Sequence, residues 1–171
     1  MTVLETPRLY LREYRDDDFA ALHAFLSDPV TMAYYPAPLS EEETRRWVRR
    51  NQERYERDGF GLWAVCLKAT DELIGDCGLV RQTIDGRHEV EIGYHIQRNL
   101  WGQGFATEAA MGCKMYGFHS LGLPRLVSII YPANTASIRV ATKIGFTLEK
   151  ESFIFNRNHS IYAGTREERL G

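Results

Sequence analysis

Residues 91–109 read Glu91-Ile92-Gly93-Tyr94-His95-Ile96-Gln97-Arg98-Asn99-Leu100-Trp101-Gly102-Gln103-Gly104-Phe105-Ala106-Thr107-Glu108-Ala109. The run from Glu89 to Gln97 has strand character. From Gly104 to about Leu121 the small residues Ala106, Ala109, Ala110, Cys113 and Gly117 recur at helical spacing. Gly102 and Gly104 stand at the junction, where the absence of a Cβ permits a tight turn and close approach of a ligand to the backbone. The helix that starts there aims free N–H groups and a partial positive charge into the turn, a setting that suits a pyrophosphate. Each charge-assisted hydrogen bond from such an amide contributes roughly 1.5 to 3 kcal/mol, so a few amides hold a diphosphate without a lysine. The same two glycines also serve an ordinary strand-to-helix turn, and their surroundings must decide between the readings.

Rival readings fail on the neighbouring residues. No Gly-Lys-Ser/Thr follows the glycines, which excludes a Walker-type loop, and Thr107 stands where the dinucleotide fingerprint needs its third glycine. A Rossmann domain also puts its glycine turn after the first strand. Here the turn follows the fourth, after a strand around Arg8 to Tyr14 and a meander of Leu62 to Leu67, Leu73 to Gln82 and Glu89 to Gln97.

Ahead of the meander, Asp16 to Leu26 and Ser40 to Asp58 carry helical spacing, the second opened by Ser40 and Glu43 in a capping-box pattern. Six arginines on that second helix are matched by Glu41, Glu42, Glu43, Glu53 and Glu56, which describes a solvated face. Beyond the glycines, the helix crosses to a strand from Arg125 to Tyr131, and such a crossover implies parallel pairing with the strand before it. A further helix from Asn134 to Ile144 ends at Gly145, and Phe146 to Phe155 with Ser160 to Thr165 form a closing hairpin. The expected fold is α/β, a mixed and mostly antiparallel sheet in which the fourth and fifth strands form the parallel pair, with flanking helices.

With 171 residues, 44% apolar and 26% charged, the chain has the size and composition of one soluble domain spanning 1–171. It has no membrane-spanning run and no signal-peptide pattern, and is expected in the cytoplasm. Cys66, Cys77 and Cys113 lack metal or redox spacing, so no metal is expected. A net charge of −2 argues against direct nucleic-acid binding.

The stretch from Gly93-Tyr94 through Gly102-Gln103-Gly104-Phe105-Ala106-Thr107-Glu108-Ala109 resembles the central motif of the GNAT superfamily of N-acetyltransferases. Asn134 to Phe146 is similar to that superfamily's next helix, which usually ends in Gly-Phe. The opening Thr6-Pro7-Arg8-Leu9-Tyr10-Leu11-Arg12 and the Trp101-Gly102-Gln103-Gly104 loop resemble the RimJ/RimL-like branch, whose namesakes acetylate ribosomal protein N-termini.

The resemblance implies acetyl-CoA as co-substrate and an amine-bearing acceptor as partner, and leaves a homodimer open. It implies that the fourth and fifth strands splay. Exposed backbone at His95, Ile96 and Gln97 would then pair with pantetheine, and amides from Gly102, Gln103, Gly104, Phe105, Ala106 and Thr107 would hold the pyrophosphate. Asn134 would face the cofactor or act as an ordinary helix cap, or both.

Two positions depart from the family pattern. Asn99, with Arg98 beside it, replaces the usual Arg or Gln three residues before the first glycine, and Ala141 replaces the tyrosine that often protonates the leaving thiolate. Ser137 is the local hydroxyl left to serve the sulfur, and Glu91 is the base candidate, acting on the amine through water. The implied reaction is direct acetyl transfer to a peptide α-amino group, with polyamines or aminoglycosides as alternative acceptors. A non-catalytic acyl-CoA sensor and a plain scaffold are the readings from other classes. The segments Met32 to Pro36 and Asn156 to His159 are expected to border the acceptor side.

Overall fold

The computed structural model describes residues 1–166. Eight strands form one sheet in the order β1-β2-β3-β4-β5-β6-β8-β7. They are β1 (Thr2–Glu5), β2 (Leu9–Arg12), β3 (Leu62–Leu67), β4 (Leu73–Ile84), β5 (Arg87–Ile96), β6 (Arg125–Ile130), β7 (Thr147–Ile154) and β8 (Arg157–Thr165). Every pair is antiparallel except β5 with β6, as the crossover predicts. That pair is fifth and sixth in the chain, because β1 adds a strand that the sequence reading missed. β1 is only four residues long and half-exposed at the sheet edge, so it shows almost no alternation to detect.

Helices α1 (Phe19–Leu26) and α2 (Glu41–Asp58) cover one face of the sheet, and α3 (Phe105–Met115) and α4 (Thr135–Lys143) cover the other. The helix read as running to Leu121 leaves α geometry after Met115 and finishes in a π-helical turn, Tyr116–Ser120, where Leu121 N–H reaches the Tyr116 carbonyl. Ser40 Oγ accepts the Glu43 N–H at 3.1 Å, the N-cap half of the expected capping box, and Gly59 closes α2 at φ +80°. Two arginines of α2 pair with Glu41 and Glu42 at i,i+4 as a solvated face should. Arg54 departs from that pattern: it is partly buried and lies near Glu91.

The two faces of β5 carry different chemistry. Glu91, Gly93 and His95 project toward α1 and α2, where His95 stacks on Phe25 and meets the edge of Trp47. Ile92, Tyr94 and Ile96 project toward α3 and α4, packed with Ala109, Ala110, Cys113 and Ala141. Each side of the strand therefore serves a different layer of the protein.

Candidate active site

β5 and β6 pair in register only at Glu91 and Val127. That parallel bridge turns the backbone of Ile92 toward β6, so alternation turns Tyr94 and Ile96 the same way, past the last paired position. The odd residues face the other strand: Gln97 N–H donates to the Ile74 carbonyl at 2.8 Å, and the His95 carbonyl lies against Gly75 of β4. Of the three residues expected to offer backbone to pantetheine, His95 and Gln97 are thus committed to β4 and Ile96 faces the gap. The Ile96 carbonyl already accepts from Trp101 Nε1 at 2.6 Å. Tyr94 is the other gap-facing residue, one position outside the three that the family resemblance implies.

The glycine turn has the geometry its composition predicts. Gly102 and Gly104 have φ of +79° and +82°, and a Cβ added at Gly102 would meet nothing within 4 Å. Gly104 is the N-cap of α3 and has no side chain to cap it, so the amides of Phe105, Ala106 and Thr107 open the helix without a side-chain acceptor. Gln103 is exposed with the glycines on either side of it. An anion fits this cradle.

The cradle is braced from the N-terminus. Arg8 donates to Glu108 Oε1 at 2.8 Å and to the Gln103 carbonyl at 2.9 Å, and its guanidinium lies 4.2 Å from the centre of the Phe105 ring. Thr6 Oγ1 and the Arg8 amide both donate to Glu108 Oε2. Burial would raise the Glu108 carboxyl, but these bonds outweigh it and hold the group below its usual range. The two stretches that suggested the RimJ/RimL-like branch are therefore one physical unit.

On the α1/α2 side, Glu91 keeps partial access to solvent and accepts from Gln82 Nε2 at 3.1 Å. Burial of its carboxyl raises its pKa to about 7, against the opposing pull of the Gln82 hydrogen bond and of the Arg54 and His95 charges. A carboxylate that titrates near neutrality is suited to taking a proton from an amine.

Beside Glu91 lies a buried polar cluster that no sequence motif announced. Asp76 is fully buried and receives His95 Nδ1 at 2.7 Å, the Tyr14 hydroxyl at 2.6 Å and Trp47 Nε1 at 3.1 Å. His95 Nε2 has no hydrogen-bond partner among the described residues, and Tyr35 lies 5.1 Å from the imidazole centroid to centroid. Three donors on one buried carboxylate fix Tyr14, α2 and β5 to one another. Tyr14→Phe removes one of these bonds without changing packing, and should lower stability by about 2 kcal/mol, read by chemical denaturation. An unchanged midpoint would show that Asp76 is satisfied without it.

The aromatic loop and the β7–β8 turn, separate in sequence, are joined in space. Arg157 Nη2 donates to the Tyr34 carbonyl at 2.5 Å, and its guanidinium sits 4.1 Å over the Tyr131 ring. Tyr34, Tyr131, Phe155 and His159 continue the aromatic wall.

On the α4 side, Asn134 Oδ1 accepts the Ser137 N–H at 3.2 Å, the capping alternative for that residue. Ser137 lies in the first turn of α4 and is partly exposed. Ala141 is buried one turn later and carries no hydroxyl. Among the described residues no cluster of three or more His, Cys, Asp or Glu could hold a metal, and no helix is long and apolar enough to cross a membrane.

A sheet with a single parallel pair that opens beside an amide-lined helix start defines the class, and comparison with known proteins agrees. The family model for the GNAT acetyltransferase domain matches residues 8–147, and the chain belongs to that family of N-acetyltransferases. It is 40% identical over 162 residues to the uncharacterized protein YkkB of Bacillus subtilis, covering 94% of both chains. A GNAT-family acetyltransferase from Bacillus anthracis superposes with a TM-score of 0.82 at 31% identity, over 98% of this chain and 100% of that one. RimL, a ribosomal L7/L12 α-N-protein acetyltransferase solved with coenzyme A, shares the fold at 21% identity and a TM-score of 0.74, over 96% and 98% of the two chains.

Proposed function

We propose that this enzyme transfers the acetyl group of acetyl-CoA to a primary amine, with a protein or peptide α-amino group as acceptor and polyamines or aminoglycosides as the alternative. The observation that carries this reading is the two-sidedness of β5. Open backbone and the α3 cradle lie toward one layer, and Glu91, with its pKa near 7, lies toward the other.

The co-substrate brings an acetyl group already activated as a thioester. Amides from Gly102 to Thr107 hold its pyrophosphate, and the gap-facing backbone of Tyr94 and Ile96 holds the pantetheine arm. Glu91 takes a proton from the acceptor through water, and Gly93, between Glu91 and His95 on the same face, leaves space for the amine to approach the strand. Ser137 and the capping residue Asn134 line the α4 side. The loop around Tyr34 and the turn around Arg157 border the acceptor.

A free-thiol assay with acetyl-CoA across N-terminal peptides, polyamines and aminoglycosides tests the reading. Release of coenzyme A thiol that depends on peptide N-termini is expected. Faster turnover with either small-amine class would replace the acceptor assignment, and absence of turnover with all three, despite tight coenzyme A binding, would favour a sensor.

A further inference from the structure

Breaking the thioester leaves an electron pair on sulfur that must receive a proton, and Ala141 offers none. The hydroxyls around the gap divide by face. Tyr35 lies on the α1/α2 side, packed on His95, and Tyr116 is held edge-on against Trp63. On the α3/α4 side Ser128 of β6 is fully buried, while Ser137 and Tyr94 keep partial exposure.

Tyr94 has the stronger placement. Its peptide group already faces the gap, and its hydroxyl donates to the Ser137 carbonyl at 2.9 Å. In an α-helix the carbonyl of residue 137 is the one approached by the amide of residue 141, and a side chain at 141 would lie back over the turn that holds 137. The Tyr94 phenol therefore ends over the part of α4 that a longer side chain at 141 would cover, with a small alanine leaving room for it. The residue as a whole keeps partial access to solvent.

We infer that Tyr94 donates the proton to the departing sulfur, a role reached from the strand and not from α4. The inference rests on the acetyl-CoA reading above. As the amine nitrogen bonds to the carbonyl carbon and the carbon–sulfur bond breaks, the electron pair passes to sulfur and the Tyr94 proton follows it. Glu91 receives the proton lost by the amine and releases it to solvent, and Tyr94 regains one from water. The balance is amine plus thioester to amide plus thiol.

Burial holds the Tyr94 hydroxyl in its protonated form well past neutrality, as a donor requires. The titratable groups nearest it are Cys77, kept as a thiol by burial, and Glu91 on the opposite face. Neither competes for the sulfur from the α4 side.

The test needs no acceptor. Coenzyme A, with its free thiol, is bound to the protein and titrated by thiolate ultraviolet absorbance. A hydrogen bond from Tyr94 stabilises the bound thiolate, so Tyr94→Phe should raise the thiol's midpoint by about one unit, or about tenfold less thiolate at a given pH. Ser137→Ala should give a smaller shift. Equal midpoints in the parent and Tyr94→Phe would overturn the role. Failure of the parent to bind coenzyme A would overturn the acetyl-CoA reading and this role with it, a result distinct from unshifted binding. If Tyr94→Phe fails to fold, difluorotyrosine in place of Tyr94 retains the bond with a more acidic donor and should lower the midpoint. No shift there would also overturn the proposal.

Discussion

Gly104→Val should fold and lose coenzyme A binding by at least about two orders of magnitude, measured by calorimetry. The argument is conformational. Gly104 sits at φ +82°, where a β-branched residue is an outlier, and strain of about 1 to 3 kcal/mol would be relieved by rotating the turn away from its present shape. Space itself is not the obstacle on the protein side, because an added Cβ would come no nearer than 3.4 Å to Arg8 Nη2. The fold should survive while the amides of α3 lose their common aim. An unchanged dissociation constant in a folded variant would remove the turn from the cofactor site.

The second large effect is expected at Glu91. Reaching a neutral nucleophile at pH 7 costs about 1.4 kcal/mol for an α-amine and about 4.6 kcal/mol for a lysine side chain, given ordinary pKa values near 8 and 10.4. A carboxylate with a pKa of about 7 can cover the first cost. Below that value Glu91 is protonated and useless as a base, and well above 8 the amine is already neutral. The deficit of Glu91→Gln should therefore peak between about pH 7 and 8, at tenfold or more. It should shrink on both sides. A pH-rate curve that overlays the parent would exclude Glu91.

Stability supplies an independent sign. The folded pKa of Glu91 is raised by burial, so the native state binds the proton more tightly than the unfolded chain does. Stability from this group is present below its unfolded value and is lost as pH rises through about 7. Glu91→Gln should accordingly melt higher than the parent above pH 7. A catalytic group held at a cost to the fold has that signature, and a surface carboxylate does not.

The sequence disclosed the frame of the molecule more fully than the details of its site. The meander, the crossover and the glycine turn were legible because each rests on local periodicity or on a backbone requirement only glycine meets. The orientation of β5 was not: which peptide groups point to β6 depends on the register with β4, and register is a pairwise property. Asp76 was invisible for a similar reason. In the run Ile74-Gly75-Asp76-Cys77 it reads as a polar break in a buried strand, and its three donors come from β5, α2 and the segment after β2. Glu91 was found as a residue type on a strand, but its raised pKa comes from burial between the sheet and α2, which Gln82 and Arg54 oppose without cancelling. The charge pattern of α2 alone places Arg54 on a solvated face.

The bracing of the glycine turn by Arg8 and Glu108 changes what kind of object that turn is. The two residues are a hundred positions apart, so the cradle is a long-range assembly and not a portable segment. During synthesis the Thr6-Pro7-Arg8 stretch emerges first and has nothing to grip until the beginning of α3 is made. Residues 91–109 grafted into another scaffold would carry every letter of the motif and leave behind the guanidinium that holds Gln103 and Glu108 in place. Shortening the chain past Arg8 would have the same effect from the other end, removing no residue of the loop and still unfastening it.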